Sequence, residues 1–348
     1  MSEPASPFPT TLDWEEQPQP RVWVIRPPRP RWWLHILLLA ATFLSTLVVG
    51  ARMQFNFIHH QPVFSLNDDS LSLFPVSWIL HQPSNLLLGI PFSLTLMFIL
   101  LAHEMGHYLY ARHYRVYATL PFFVPFPSLI GTLGAFIRIK SPIPSRAALF
   151  DIGIAGPIAG FIPACGALLL GLSLSHPLIG PEGSYIQLGS PLVFHLAARL
   201  LHIGVPLSTL SLHPVAVAAW VGMFATALNL LPGGQLDGGH ILFSVAPQLH
   251  RWVSILTIFV LIPFGKFLWT GWFLWAVFLA MTARHPNVSP YPPVSGRRRG
   301  VALFGLLMLV LTFMPVPLTQ HPQQDLWPDF RQTLHSLRDS ARHLLRRH

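Results

Sequence analysis

The stretch FILLAHEMGHYLYARHY, Phe98–Tyr114, sets two histidines and a glutamate into an apolar run of membrane grade. Ionisable groups inside a bilayer are costly, so they are read first as functional. On a helix, His103 and His107 are four residues apart and project from one face. Two imidazoles at that spacing can chelate one zinc ion, which places Glu104 to act on a water at the metal. The competing reading is a pair of interfacial histidines with a snorkelling glutamate. The five-residue pattern alone does not choose between them.

Composition sets the surroundings. Of 348 residues, 52% are hydrophobic and only 10% charged, with a mean hydropathy of +0.50. Soluble domains carry about 25% charged residues. The expected class is therefore an all-α polytopic membrane protein. The net charge of +9 is nearly all arginine lying between apolar runs. That pattern suits flanks beside an anionic leaflet, and no folded basic domain is present to host nucleic acid. The partner expected from this is the lipid bilayer, with no nucleic acid. Cys165 is the only cysteine and sits in an apolar run, so it reads as a small packing residue. A cleavable signal peptide is not expected, because some thirty polar, proline-rich residues precede the first apolar run.

Outward from the motif, residues 1–32 form a Pro/Arg-rich segment expected to be disordered. A first span over Trp33–Ala51 rises about 28 Å, close to the hydrocarbon thickness. A non-cytosolic loop runs to residue 85. The second span begins near Leu86 and carries the motif toward its exit end. PFFVPFPSLIGTLGAFIRIKSPIP follows, too broken by proline for a helix. Within it, AFIRIK alternates apolar and basic residues, predicting a short membrane-associated β segment between the second and third spans.

The third span covers about Leu149–Leu174 and contains GIAGPIAG, small residues that let helices approach closely. A short helix is expected around LVFHLAARLL, and a fourth span from about Pro214 to Leu231 ends in NLLPGGQLDGGH. Residues 252–281 read as two short spans hinged at PFGK, and a last span covers about Val301–Met314. That gives about seven transmembrane helices. Arg21, Arg26, Arg29 and Arg31, the cluster from Arg112 to Arg146, and RHPNVSPYPPVSGRRR then fall on one, cytosolic side. Reading 252–281 as a single tilted span would move the C-terminal tail to the other side. In that tail, Phe330, Leu334, Leu337, Ala341 and Leu344 share one face of a basic amphipathic helix.

A catalytic zinc needs a third protein ligand and an open position. The acids after His107 are Asp151, Glu182, Asp237, Asp325, Asp329 and Asp339. The last three lie in the tail, Glu182 falls on the opposite membrane face, and Asp151 is read as a helix N-cap. Asp237 shares the face of His103, in a glycine-rich break of the kind tolerated only inside protein or along a wet cavity. It is the best candidate, set against an ordinary turn aspartate. His240 is a candidate to support the ligands from behind. The remaining histidines read as interfacial or loop residues.

HEMGH in one membrane helix, with Asn-x-x-Pro-x-x-x-Leu-Asp-Gly ending a later one, resembles the site-2 protease family of intramembrane zinc metalloproteases. The resemblance covers roughly residues 86–290. GTLGAFIRI, FDIGIAGPIAG and RHP look like the chloroplast and cyanobacterial-type branch. It implies one Zn2+ per chain on His103, His107 and Asp237, with Glu104 as catalytic acid–base and Asn229 positioning substrate or stabilising an oxyanion. It further implies transmembrane protein substrates cut within or beside a span, in a multi-pass protein of a bacterial inner membrane with the site toward the cytosol. About forty residues between the third and fourth spans are too few for a PDZ module, and no CBS-type tail is visible.

The expected organisation is a core over 86–290, preceded by the first span and loop (33–85). A basic loop with the last span (291–315) and the tail (316–348) follow it. Two other classes remain open: another membrane HExxH peptidase whose third ligand is a glutamate, and a non-enzymatic metal transporter. The first is disfavoured by the scarcity of downstream glutamates, the second by the near absence of acids in the spans. Substrate identity and oligomeric state are not legible.

Overall fold

The computed structural model describes residues 31–66, 74–178, 184–283, 288, 294 and 296–321. The N-terminal segment, Asp68, Asp69, Glu182 and the amphipathic tail lie outside the described residues.

The first apolar run forms α1 (Trp32–Ile58), longer than its hydrophobic core because Arg52 continues the helix. Arg52 is buried, and its guanidinium donates to the Ser65 carbonyl at 2.5 Å. A short helix α2 (Val76–His81) and a 3-10 stretch (Pro83–Gly89) lead into α3 (Ile90–His113), which carries HEMGH. The start of α3 packs closely on α1: Thr46 Oγ1 and Ser93 Oγ are 2.6 Å apart, a polar pair matched inside an apolar interface.

Beyond α3 the chain makes a hairpin of β1 (Phe122–Pro125) and β2 (Thr132–Phe136), antiparallel and irregular between Phe123 and Pro125. The regular strand thus begins three residues before AFIRIK, whose later part makes only an isolated bridge, Ile139 with Ala118. The tip of the hairpin lies against α1, where Ser45 Oγ donates to the Gly131 carbonyl at 2.6 Å. Gly131 itself has φ +77°, open to glycine without strain.

Helix α4 (Arg146–Ser173) is capped by Ser145, whose hydroxyl accepts from the Ala148 N–H at 3.1 Å. Asp151 is therefore not the cap expected from sequence. It sits six residues further in and forms a two-point ion pair with Arg298, at 2.8 and 2.7 Å, while the Tyr114 hydroxyl donates to the same carboxylate. A partner 147 residues away and a local serine that can cap equally well explain the difference.

At the other end of the bundle, β3 (His176–Pro177), β4 (Tyr185–Leu188), α5 (Leu192–Leu200) and β5 (Leu210–Ser211) form a small cover, with β3 paired to β5. Helix α6 (Pro214–Asn229) then runs back through the centre. It is rich in alanine and valine because it is buried on nearly all sides, against α3 and α4. Leu96, Ile99, Leu168, Leu172, Val217 and Met223 form the middle of this core.

After α6 come α7 (Asp237–Val245), α8 (Pro247–Phe267) and α9 (Gly271–Thr282). Pro263 lies inside α8, so the hinge is not at PFGK but at Leu268–Thr270, where two successive N–H groups, of Leu268 and Trp269, both donate to the Phe264 carbonyl. Last, α10 (Gly296–Thr312) and β6 (Leu318–His321) return the chain to β4, with which β6 pairs over four residues.

Four helices of the described residues are long and apolar enough to cross a membrane: Trp32–Ile58, Pro83–His113, Arg146–Ser173 and Pro247–Phe267. Pro214–Asn229 and Gly271–Thr282 are shorter apolar helices. Together with the composition, they make this an integral membrane protein.

Candidate metal centre

The site is built where α3, α4 and the start of α7 meet. His103 and His107 are both buried on the inner face of α3. Their Nε2 atoms lie 3.1 Å apart, and Oδ2 of Asp237 stands 3.3 Å from each. Asp237 reaches them from the first turn of α7, where the helix N-terminus also favours a carboxylate.

The second nitrogen of His107 fixes its role. Nδ1 lies 2.7 Å from the Ile152 carbonyl, which can only accept, so Nδ1 carries the proton and Nε2 offers a lone pair. Two imidazole nitrogens and a carboxylate oxygen this close form a donor set that one metal ion can bridge. A tetrahedral ion with bonds of about 2.0–2.1 Å holds its donors about 3.3 Å apart, the spacing found here. The N2O donor set suits zinc. Among the described residues this is the only group of three such side chains that can hold a metal ion.

The small residues of GIAGPIAG do more than let α3 and α4 approach. A methyl group on Gly156 would overlap the His107 ring, and one on Gly160 would come within 3.0 Å of the His103 side chain. The glycines are four apart on α4, as the histidines are on α3, and each glycine seats one imidazole. Sequence reasoning did not assign that role, although the matched spacing is visible in the sequence.

Glu104 is buried next to the pair, and the main chain of Ile137, just beyond β2, hydrogen-bonds to it. Asn229, the last residue of α6, brings Nδ2 to 3.4 Å from His103 Nε2. These groups, with Phe136 and His240, line a cleft of about 240 Å³. His240 flanks it one turn after Asp237, beside Gly153. Every residue singled out in the two motifs therefore faces one cleft.

The model of Peptidase family M50 matches residues 91–264, half of the chain. The protein belongs to peptidase family M50. The match runs from α3 through most of α8 and so includes every residue of the cleft. Among relatives of this M50 chain are proteins named probable zinc metalloprotease EGY1, chloroplastic. That of Arabidopsis thaliana is 29% identical over 81% of this chain and 52% of its own length. The EGY1 protein of Oryza sativa subsp. japonica is 29% identical over 81% and 50%. A probable zinc metalloprotease EGY2, chloroplastic, of Oryza sativa subsp. indica is 32% identical over 74% and 47%. The M50 chain spans about half the length of these relatives.

Proposed function

We propose that this M50 chain is an intramembrane zinc endopeptidase that hydrolyses peptide bonds within or next to a transmembrane segment of membrane proteins. The observation that carries this reading is the convergence of His103, His107 and Asp237, at zinc-like donor spacing, beside a buried glutamate. The relatives' printed names point the same way.

His103, His107 and Asp237 would hold one zinc, which supplies a Lewis acid that acidifies water and polarises a carbonyl. Glu104 takes the proton from the attacking water and returns it to the leaving amine. Asn229 Nδ2 donates to the carbonyl oxygen as charge builds there. A helix hides its own carbonyls, so the substrate must unwind before it is cut. The outer edge of β2, which no described strand pairs, can hold the unwound segment by strand addition. On this reading α1, α3, α4, α6, α8, α9 and α10 are seven crossings, with the arginine-rich flanks and the cleft toward the cytosol of a bacterial cell.

The test is reconstitution. The purified protein, in lipid vesicles with single-span substrates, should release products whose new termini map within or beside the span. Cuts confined to extramembrane loops, at equal rate in Glu104→Gln, would refute the proposal.

A further inference from the structure

Helix α8 contributes no side chain to the metal cluster, yet the middle of its largely apolar sequence carries His250, Ser254 and Thr257. Their spacing of four and then three places them on one helical face. His250 and Ser254 are buried, whereas Trp252, Leu256 and Phe259 on other faces are exposed. The polar face therefore points into the protein, where it meets the Pro232–Gly234 turn between α6 and α7.

Each contact is specific. His250 Nε2 lies 2.9 Å from the Gly234 carbonyl, which can only accept, so the imidazole donates. The Gly234 N–H donates to Ser254 Oγ at 3.2 Å, and that hydroxyl passes its own proton to the His250 carbonyl at 2.7 Å. Thr257 Oγ1 reaches the Pro232 carbonyl at 3.2 Å and shares its proton with Val253 O. Both main-chain polar groups of Gly234 are thus taken up by α8. Without such partners an irregular turn at this depth would leave them unsatisfied.

The held turn bears directly on Asp237. Gly234 has φ +57° and precedes the carboxylate by three residues. A side chain on Gly239, in the first turn of α7, would collide with the Gly234 carbonyl, so that turn rests on the atom His250 holds. The His250 ring also meets the edge of Phe243, further along α7, with centroids 5.6 Å apart at 85°. His250 touches the chain both before and after Asp237.

We infer that His250, with Ser254 and Thr257, is a positioning residue that sets the place of Asp237 at the metal through the main chain of Gly234. The inference rests on the metal reading of the site, and its test reads metal directly, apart from proteolysis. The alternative is a set of buried polar groups that merely satisfy one another.

The experiment compares the full chain with His250→Ala, His250→Gln, Ser254→Ala and Thr257→Val, each taken as the monodisperse, folded fraction in detergent. Zinc affinity is measured against a chromogenic chelator, and Co2+ is loaded to record its visible bands. Partners that orient metal ligands from behind typically change affinity about 10–100-fold. Acting one step further out, His250→Ala should weaken zinc about tenfold and alter the cobalt bands. Glutamine, whose amide can still donate to Gly234, should recover most of the loss. Ser254→Ala should shift affinity in the same direction by less, and it carries the test alone should His250→Ala not fold. Variants that melt earlier but keep parental zinc affinity and cobalt bands would overturn the inference. A parent chain that binds no zinc would instead overturn the metal reading beneath it.

Discussion

Gly156 on α4 and His107 on α3 touch where no methyl group fits: a Cβ on the glycine would lie inside the imidazole. The ring would have to swing away, and its Nδ1 bond to Ile152 would go with it. Gly156→Ala should therefore lose most of the bound zinc, as His107→Ala should. Gly166, on the same helix, has nothing within 4 Å of an added methyl, so Gly166→Ala should hold about one equivalent. Elemental analysis of the purified proteins checks this, and stoichiometric zinc in Gly156→Ala would contradict it.

Glu104→Gln keeps the shape of the side chain but removes the proposed proton shuttle. Zinc content should stay near one equivalent while cleavage of a reconstituted substrate falls to background. Turnover near the parental rate would take Glu104 out of the chemistry.

Asn229 lies 3.4 Å from His103 Nε2 and has an amide N–H to offer a developing oxyanion. Losing one such donor typically costs about a hundredfold in rate, roughly 3 kcal/mol, with less effect on substrate binding. Asn229→Ala should bind zinc normally and show that loss in kcat. Asn229→Asp should also be slow, because a carboxylate repels the oxyanion. A rate within two- or threefold of the parent, by single-turnover assay, would leave Asn229 as a helix terminus only.

The Asp151–Arg298 pair ties α10 to α4, with the Tyr114 hydroxyl as third member. Asp151→Asn leaves a partly buried guanidinium short of its charge partner. We expect a cost of about 1–2 kcal/mol, below that of a fully buried pair because Arg298 keeps part of its solvent. The double variant Asp151→Leu/Arg298→Met should recover much of it. Thermal unfolding in detergent measures both. Equal midpoints for parent and Asp151→Asn would show the pair to be neutral.

His213 caps α6 by accepting from the Val215 N–H, at the far end of the bundle. Burial, with His176 close by, holds its pKa below the ordinary 6.5. Both rings pack on Phe57, and His60 meets His176 at a tilt of 60°. The folded chain then binds this proton less readily than the unfolded chain. Stability should be full above about pH 6.5 and fall as the pH drops through that value. His213→Asn retains a capping oxygen and should flatten the slope of the unfolding midpoint over that window. An unchanged slope would assign the acid sensitivity elsewhere.

The cluster of His103, His107 and Asp237 could be read because its chemistry is local: two histidines on one helical face, and an aspartate in a break that only protein or water could tolerate. The long apolar helices were legible for the same reason, since length and composition decide them. What could not be read depends on distant partners. Asp151 looks like a cap until Arg298 arrives, and GIAGPIAG looks like generic close packing until the imidazoles are seen in its notches. Pro263 suggested a break that α8 does not make, because the helix ends where Phe264 offers its carbonyl to two later N–H groups. The strand in the hairpin was displaced toward Thr132 because the register is set by pairing with β1, not by alternation alone.

The edge of β2 that no described strand pairs also makes a demand when no substrate is bound. Its N–H and C=O groups need hydrogen-bond partners, and acyl chains have none to give. Only water or polypeptide can satisfy those left open, so on the proposed reading the resting cleft is hydrated as far as Ala135, while the Ile137 main chain already bonds to Glu104. Lipid is thereby a poor competitor for the edge. Under the proposed function, an arriving substrate strand would exchange those waters for main-chain bonds, and the water that remains would be the reagent.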